Sequence, residues 1–148
     1  PRNPLTTLRK DNLFKLFFFD LGLLRYLLDL SYQEQRTQSF TYKGYIAENF
    51  VQNELRCSGH YPTYSWEENT AEIEFIYKTR QGEIIPVEVK SAANTKAKSL
   101  QSYKQRYAPD RTVKLIGSAG GTSNSQDMVL PLYYASKLDQ LLGSDLVQ

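Results

Sequence analysis

Glu88 and Lys90 stand two residues apart in the run Glu83-Ile-Ile-Pro-Val-Glu-Val-Lys90, and Glu74 lies in the alternating run Glu72-Ile-Glu-Phe-Ile-Tyr77 just upstream. If the later run is a strand, Glu88 and Lys90 leave the same face about 7 Å apart along the backbone. A hairpin turning near Gly82 returns Glu74 toward Glu88, because neighbouring strands lie about 5 Å apart. Two carboxylates that close repel one another, and a divalent cation between them removes the cost. Mg²⁺ suits one or two carboxylates completed by waters and phosphate oxygens, and Mn²⁺ takes the same donors. The ion would polarise a phosphate and lower the pKa of a bound water. Lys90 is a compact charge able to hold that water or to steady the negative charge that develops in the transition state. Glu48, on a helix upstream, would close the site as an outer carboxylate, giving a metal set of Glu48, Glu74 and Glu88 with Lys90 beside it. The competing reading is a salt-bridge ladder of Glu72, Glu74, Glu88 and Lys90 on a solvated sheet face. An acid-x-Lys triplet arises by chance about once in a chain of this length.

The elements that must hold these residues follow from periodicity. Lys15-Leu-Phe-Phe-Phe-Asp20 has strand character, and Leu21, Leu24 and Leu28 then recur at helical spacing. Ser31 to Lys43 shows no apolar period and reads as a flexible connector. From Gly44 an apolar stripe of Ile46, Phe50, Val51 and Leu55 predicts a helix carrying Glu48 and ending at Ser58-Gly59. Tyr64 to Trp66 reads as a short strand, and the two alternating runs around Gln81-Gly82 read as an antiparallel hairpin. Pro86 inside it calls for an irregularity or a position with no N–H to pair. Leu100, Tyr103 and Tyr107 define a helix over Asn94 to Tyr107, followed by a strand from Thr112, a Gly/Ser-rich loop from Ser118 to Gln126, and a last helix around Ala135 to Leu142. The expectation is α/β: one domain over 1–148 with a mixed central sheet flanked by helices. It divides into an N-terminal strand and helix over 1–30, the connector over 31–43, and an αββαβ core with a C-terminal helix over 44–148.

Charge is uneven along the chain although the net is only +2. Residues 43–90 carry five basic and eight acidic side chains; residues 96–114 carry six basic ones against Asp110 alone. An acidic nest beside a basic wall suits a cation site next to a polyanion, and Lys96, Lys98, Lys104 and Arg106 form the densest cationic stretch. Two solvated faces of opposite sign would give the same pattern. One cysteine, Cys57, excludes an internal disulfide framework and a cysteine zinc site, and fits a reducing cytoplasm. The apolar stretch Leu13 to Leu30 is interrupted by Lys15, Asp20, Arg25 and Asp29, which excludes a membrane span there. Of the remaining reactive types, His60 reads as a surface loop residue, Cys57 as a small buried filler and Trp66 as core. The only methionine is Met128 and the chain starts at Pro1, from which we expect a piece of a longer polypeptide.

Lys15-Leu-Phe-Phe-Phe-Asp-Leu-Gly-Leu-Leu24, Gly44-Tyr-Ile-Ala-Glu-Asn-Phe-Val51, the Trp66 to Phe75 segment, Ile85-Pro-Val-Glu-Val-Lys-Ser91 and Leu130-Pro-Leu-Tyr133 span nearly the whole chain. Together they resemble the C-terminal domain of unknown function of a large family of prokaryotic AAA+ ATPases, a domain regarded as PD-(D/E)XK nuclease-like. The resemblance implies a restriction-endonuclease-like core with Glu74 at the Asp position, Glu88 and Lys90 as the second acid and its lysine, and Glu48 as the helix acid. It implies Mg²⁺ or Mn²⁺ as cofactor, DNA or RNA and the chain's own ATPase domain as partners, and a cytoplasmic setting. ATP would enter only through that ATPase domain, since no Gly-x-x-x-x-Gly-Lys-Ser/Thr loop occurs here. The family usually has Asp where this chain has Glu74; the extra methylene carries the carboxylate outward by about 1.5 Å, which octahedral Mg²⁺ tolerates poorly. Three expectations follow: a metal-dependent nuclease-like domain acting on phosphodiesters, a non-catalytic nucleic-acid or protein interaction module on the same fold, or an oligomerisation cap.

Overall fold

Alternation at period two builds the sheet. The computed structural model describes residues 5–10, 12–36, 42–92 and 98–143. In it β2 (Ala71–Lys78) pairs antiparallel with both β1 (Tyr64–Glu68) and β3 (Ile84–Lys90); β4 (Thr112–Ile116) then pairs parallel to β3 and β6 (Asp127–Pro131) parallel to β4. The two-residue β5 (Thr122–Ser123) caps the far edge of a six-stranded mixed sheet ordered β1-β2-β3-β4-β6-β5. The hairpin turn falls at Gly82, whose φ of 89° suits a residue without Cβ, and the Thr79 N–H closes it on the Glu83 carbonyl. Pro86 sits opposite Ile76 in unbroken antiparallel register, while the parallel ladder to β4 starts only at Val87. The proline therefore stands where the second ladder has not begun.

Helices cover both faces. α3 (Lys43–Cys57) lays Ala47, Val51 and Leu55 on Phe75, Tyr77, Ile85, Val87, Val89, Val113 and Leu115. Ala135, in a 3₁₀ segment over Leu132–Lys137, and Leu138 and Leu142 of α5 (Leu138–Gly143) complete that cluster. On the other face α4 (Lys98–Tyr107) packs Leu100 and Tyr103 against Ile73 and Ile76, with Trp66 partly buried beside them. Each fully buried Val, Leu or Ile in these layers contributes about 1.5–3 kcal/mol. Trp66 meets Tyr103 edge-on at 5.2 Å and donates its indole N–H to the Tyr107 hydroxyl, the core role expected of it.

Three local expectations are corrected. Lys15 to Asp20 belongs to no strand: the Asn49 side chain takes the Phe18 N–H at 2.7 Å and gives its own N–H to the Phe18 carbonyl at 2.9 Å, so an amide on α3 satisfies the backbone that a neighbouring strand would have paired. The connector over 31–43 contains a short helix, α2 (Tyr32–Arg36), started by a reciprocal Ser31–Glu34 capping box; residues 37–41 lie outside the described ones. Cys57 is exposed rather than buried, because it follows Leu55 onto the solvent side of the last turn of α3. The Leu21 helix is α1 (Leu21–Leu27), capped by Asp20, whose carboxylate accepts from the Leu23 N–H.

Candidate active site

Glu74 sits in an irregularity of β2. Tyr64 opposes Ile76 but Trp66 opposes Ile73, so two steps on β1 match three on β2, and Ile73 and Ile76 both face α4. The extra residue breaks the alternation at Glu74, as a β-bulge re-aims a side chain. The β2–β3 register ends at Phe75 and Val87, and beyond it Glu74 Oε2 accepts the Val89 N–H at 2.9 Å.

Glu88 and Lys90 lie on the opposite face of β3 from Ile85, Val87 and Val89, as strand period requires. Glu88 is 1% exposed; its Oε2 has no hydrogen-bond partner among the described residues, and its Oε1 is met by Lys90. Lys90 Nζ lies 3.1 Å from Glu88 Oε1 and 3.7 Å from Glu74 Oε1, a charge contact to both. Burial raises the Glu74 pKa and outweighs the Val89 hydrogen bond and the pull of Lys90; the Glu48 charge adds to the rise. For Lys90 burial is the largest single influence and would lower the pKa, but Glu74, Glu88 and Glu48 together hold it above the usual lysine value. Lys114, itself buried, stands opposite Glu88 in the β3–β4 register. The strand end is held tight: Gly117 N–H donates to the Lys90 carbonyl at 2.9 Å, and a Cβ on Gly117 would fall 2.3 Å from the Ser91 carbonyl oxygen.

Glu48 turns to a residue the sequence reading passed over. Lys15 Nζ lies 3.4 Å from Glu48 Oε2 and also pairs with Glu72. The Lys15 pKa is raised, because those two carboxylates outweigh a burial effect that would lower it. Thus Glu74, Glu88 and Lys90 are brought together as expected, and Glu48 is near enough for its charge to act on Glu74 and Lys90. No group of three His, Cys, Asp or Glu side chains among the described residues converges as a metal cage. The hard-oxygen donors present, the buried Glu88 carboxylate and Glu74 with Lys90 in contact with both, fit a hydrated Mg²⁺ or Mn²⁺ held by two carboxylates and not by three. Lys15 and Glu72 were signalled only by their types; nothing in their spacing marks the contact.

The basic wall is paired in part. Lys104 Nζ meets Asp127 at 2.5 Å, Arg106 pairs with Glu68, and Arg111 with Glu83, so three of the six cations of residues 96–114 answer acids from strands and turns. Lys98 is exposed on the first turn of α4, and Lys96 lies outside the described residues. At the opposite end of β2, His60 is not a plain surface residue: its Nε2 lies 2.7 Å from the Tyr77 hydroxyl and 3.3 Å from Asp139, because α5 closes over the loop after α3. No helix among the described residues is long and apolar enough to cross a membrane. Residues 43–134 match the model of a family described as a domain of unknown function, DUF4143. No curated protein and no solved structure matches the chain.

Proposed function

The chain belongs to the DUF4143 family, and from that premise we propose that Glu74, Glu88 and Lys90 form a metal-dependent phosphodiester-cleaving site on a PD-(D/E)XK nuclease-like core, carried in the cytoplasm C-terminal to an AAA+ ATPase. The observation that carries this reading is the Glu88 carboxylate, 1% exposed and next to the second buried carboxylate of Glu74, with Lys90 in contact with both. A carboxylate so placed costs stability unless it is neutralised. A site retained at that cost is a functional candidate. Glu74 and Glu88 would hold the ion, which would supply Lewis-acid charge and an activated water. Lys90 keeps the two carboxylates together and offers its ammonium to negative charge that builds up on a phosphate. Glu74 Oε2 is fixed by Val89, so Oε1, 3.7 Å from Lys90 Nζ, is aimed before any ligand arrives. The site lies at the carboxyl end of β3, one of the parallel strands, the end at which open α/β sheets bind ligands.

Calorimetric titration with Mn²⁺ and Mg²⁺, beside incubation with single- and double-stranded DNA and RNA, tests the proposal. The expected result is weak, millimolar-range metal binding that is lost in Glu88→Gln, and Mn²⁺-dependent cleavage lost in Lys90→Ala. Absence of both metal binding and cleavage in the natural chain sinks it.

One observation favours the alternative, a non-catalytic interaction module. Lys90 already spans Glu74 and Glu88 as an internal counter-ion. On that reading the triad is structural, Glu88→Gln leaves nucleic-acid binding unchanged, and the metal titration is flat.

A further inference from the structure

Residues 15–19 reach the candidate site from outside the sheet and are tied down at successive points. Asn49, 4% exposed, grips both backbone groups of Phe18; Asn53 donates to the Phe19 carbonyl; and the Phe17 ring packs 6.1 Å from that of Phe75. This strap delivers Lys15 to Glu48 and Glu72. An ammonium has three N–H donors. Among the described residues two carboxylates pair with it, and the side chain remains 29% exposed. Glu48 links this pair electrostatically to Glu74 and Lys90. The cluster therefore has an inner lysine, Lys90, between two buried carboxylates, and a rim lysine, Lys15, which among the described residues is held by two acids and keeps a third donor.

Four carboxylates repel a polyanion unless a cation meets it at the rim. We propose that Lys15 is a phosphate-binding residue of this site, receiving a non-bridging oxygen of the phosphodiester while Glu48 and Glu72 fix its ammonium in place. The inference rests on the phosphodiester reading above. It also makes the functional unit larger than the family segment at 43–134, because Lys15 lies upstream of it.

The experiment uses the whole chain with a fluorescein-labelled short single-stranded DNA and Mn²⁺. Lys15→Gln is expected to raise KM about tenfold, the size of one charge-assisted hydrogen bond, with kcat little changed. In a Lys90→Ala background, where the probe stays intact, Lys15→Gln should weaken binding by the same factor in fluorescence anisotropy. Lys15→Arg should recover most of the affinity, and Asn49→Ala, which frees the strap, should reproduce the KM effect if the protein still folds. Unchanged KM and anisotropy in Lys15→Gln, or increased cleavage, overturns the Lys15 assignment while the natural chain's cleavage leaves the site reading intact. Neither binding nor cleavage by the natural chain overturns both.

Discussion

Glu74 Oε2 accepts the Val89 N–H at 2.9 Å, so a side-chain carboxylate on β2 closes the ladder to β3 where main-chain pairing has stopped. Because burial raises the Glu74 pKa, ionising it disfavours the folded state. The associated stability is full below the ordinary glutamate range and is lost as pH rises through the higher folded value. Glu74→Gln keeps an acceptor for Val89 and removes the charge. Its melting temperature should exceed that of the natural chain at neutral pH, with the gap closing in acid. Glu74→Ala, which orphans the N–H, should instead cost about 1–3 kcal/mol. A pH-independent gap for the Gln variant would refute the account.

Lys90 is the contact cation for Glu88. Removing it leaves a carboxylate buried without compensation, and Lys90→Ala should cost about 2–3 kcal/mol, below the usual range for breaking a buried pair because the lysine is itself partly exposed. If Mn²⁺ can take the same place, millimolar Mn²⁺ should restore part of the loss in urea melts. Equal destabilisation with and without Mn²⁺ would argue that the carboxylates do not hold the ion.

Gly117 follows β4 with its backbone against Ser91. Gly117→Ala forces a shift at the residue after Lys90, so the expected loss of about 1–3 kcal/mol should come with weakened metal binding. Stability lost with metal affinity intact would show that the strand end does not position the site.

The hairpin, the helices around it and the face shared by Glu88 and Lys90 were legible because period two and period 3.6 act over many residues and each buried side chain reinforces the same register. Glu74 was placed on the right strand, but its aim depends on a bulge set by how β1 pairs with β2, which no local pattern in Glu72-Ile-Glu-Phe encodes. The Lys15 to Asp20 run read as a strand because aromatic residues favour one; a single amide, Asn49, satisfied that backbone from a helix. Charge pairs such as Lys15–Glu72 and Arg106–Glu68 join segments distant in sequence and leave no periodic trace.

At the other end of β2, the Tyr77 hydroxyl donates to Asp139 at 2.8 Å. Burial is the largest influence on Asp139 and would raise its pKa, but the Tyr77 hydrogen bond and the His60 and Arg80 charges hold it below the ordinary range. That stability is present above the usual aspartate range and is lost as pH falls through the lower folded value. Tyr77→Phe should cost about 1.5 kcal/mol at neutral pH and return the Asp139 pKa upward, both readable by thermal melts and carboxylate NMR titration. An Asp139 titration unmoved by Tyr77→Phe would break the link.

The basic face on α4 makes the last prediction, since its cations are held by neighbouring acids. Lys104 pairs with Asp127, and that contact is the main reason the Asp127 pKa is lowered; Arg106 pairs with Glu68. A polyanion binding there must replace these acids, so its phosphates gain less than an open cationic patch would give. Asp127→Asn and Glu68→Gln should therefore tighten binding to single-stranded DNA and steepen its salt dependence by about one phosphate contact for each cation released. Lys104→Gln with Arg106→Gln should flatten it. Fluorescence anisotropy across a salt series reads both directions on one probe. If all of these variants keep the slope of the natural chain, nucleic acid does not lie on α4, and the contacts fall to the Lys15 rim.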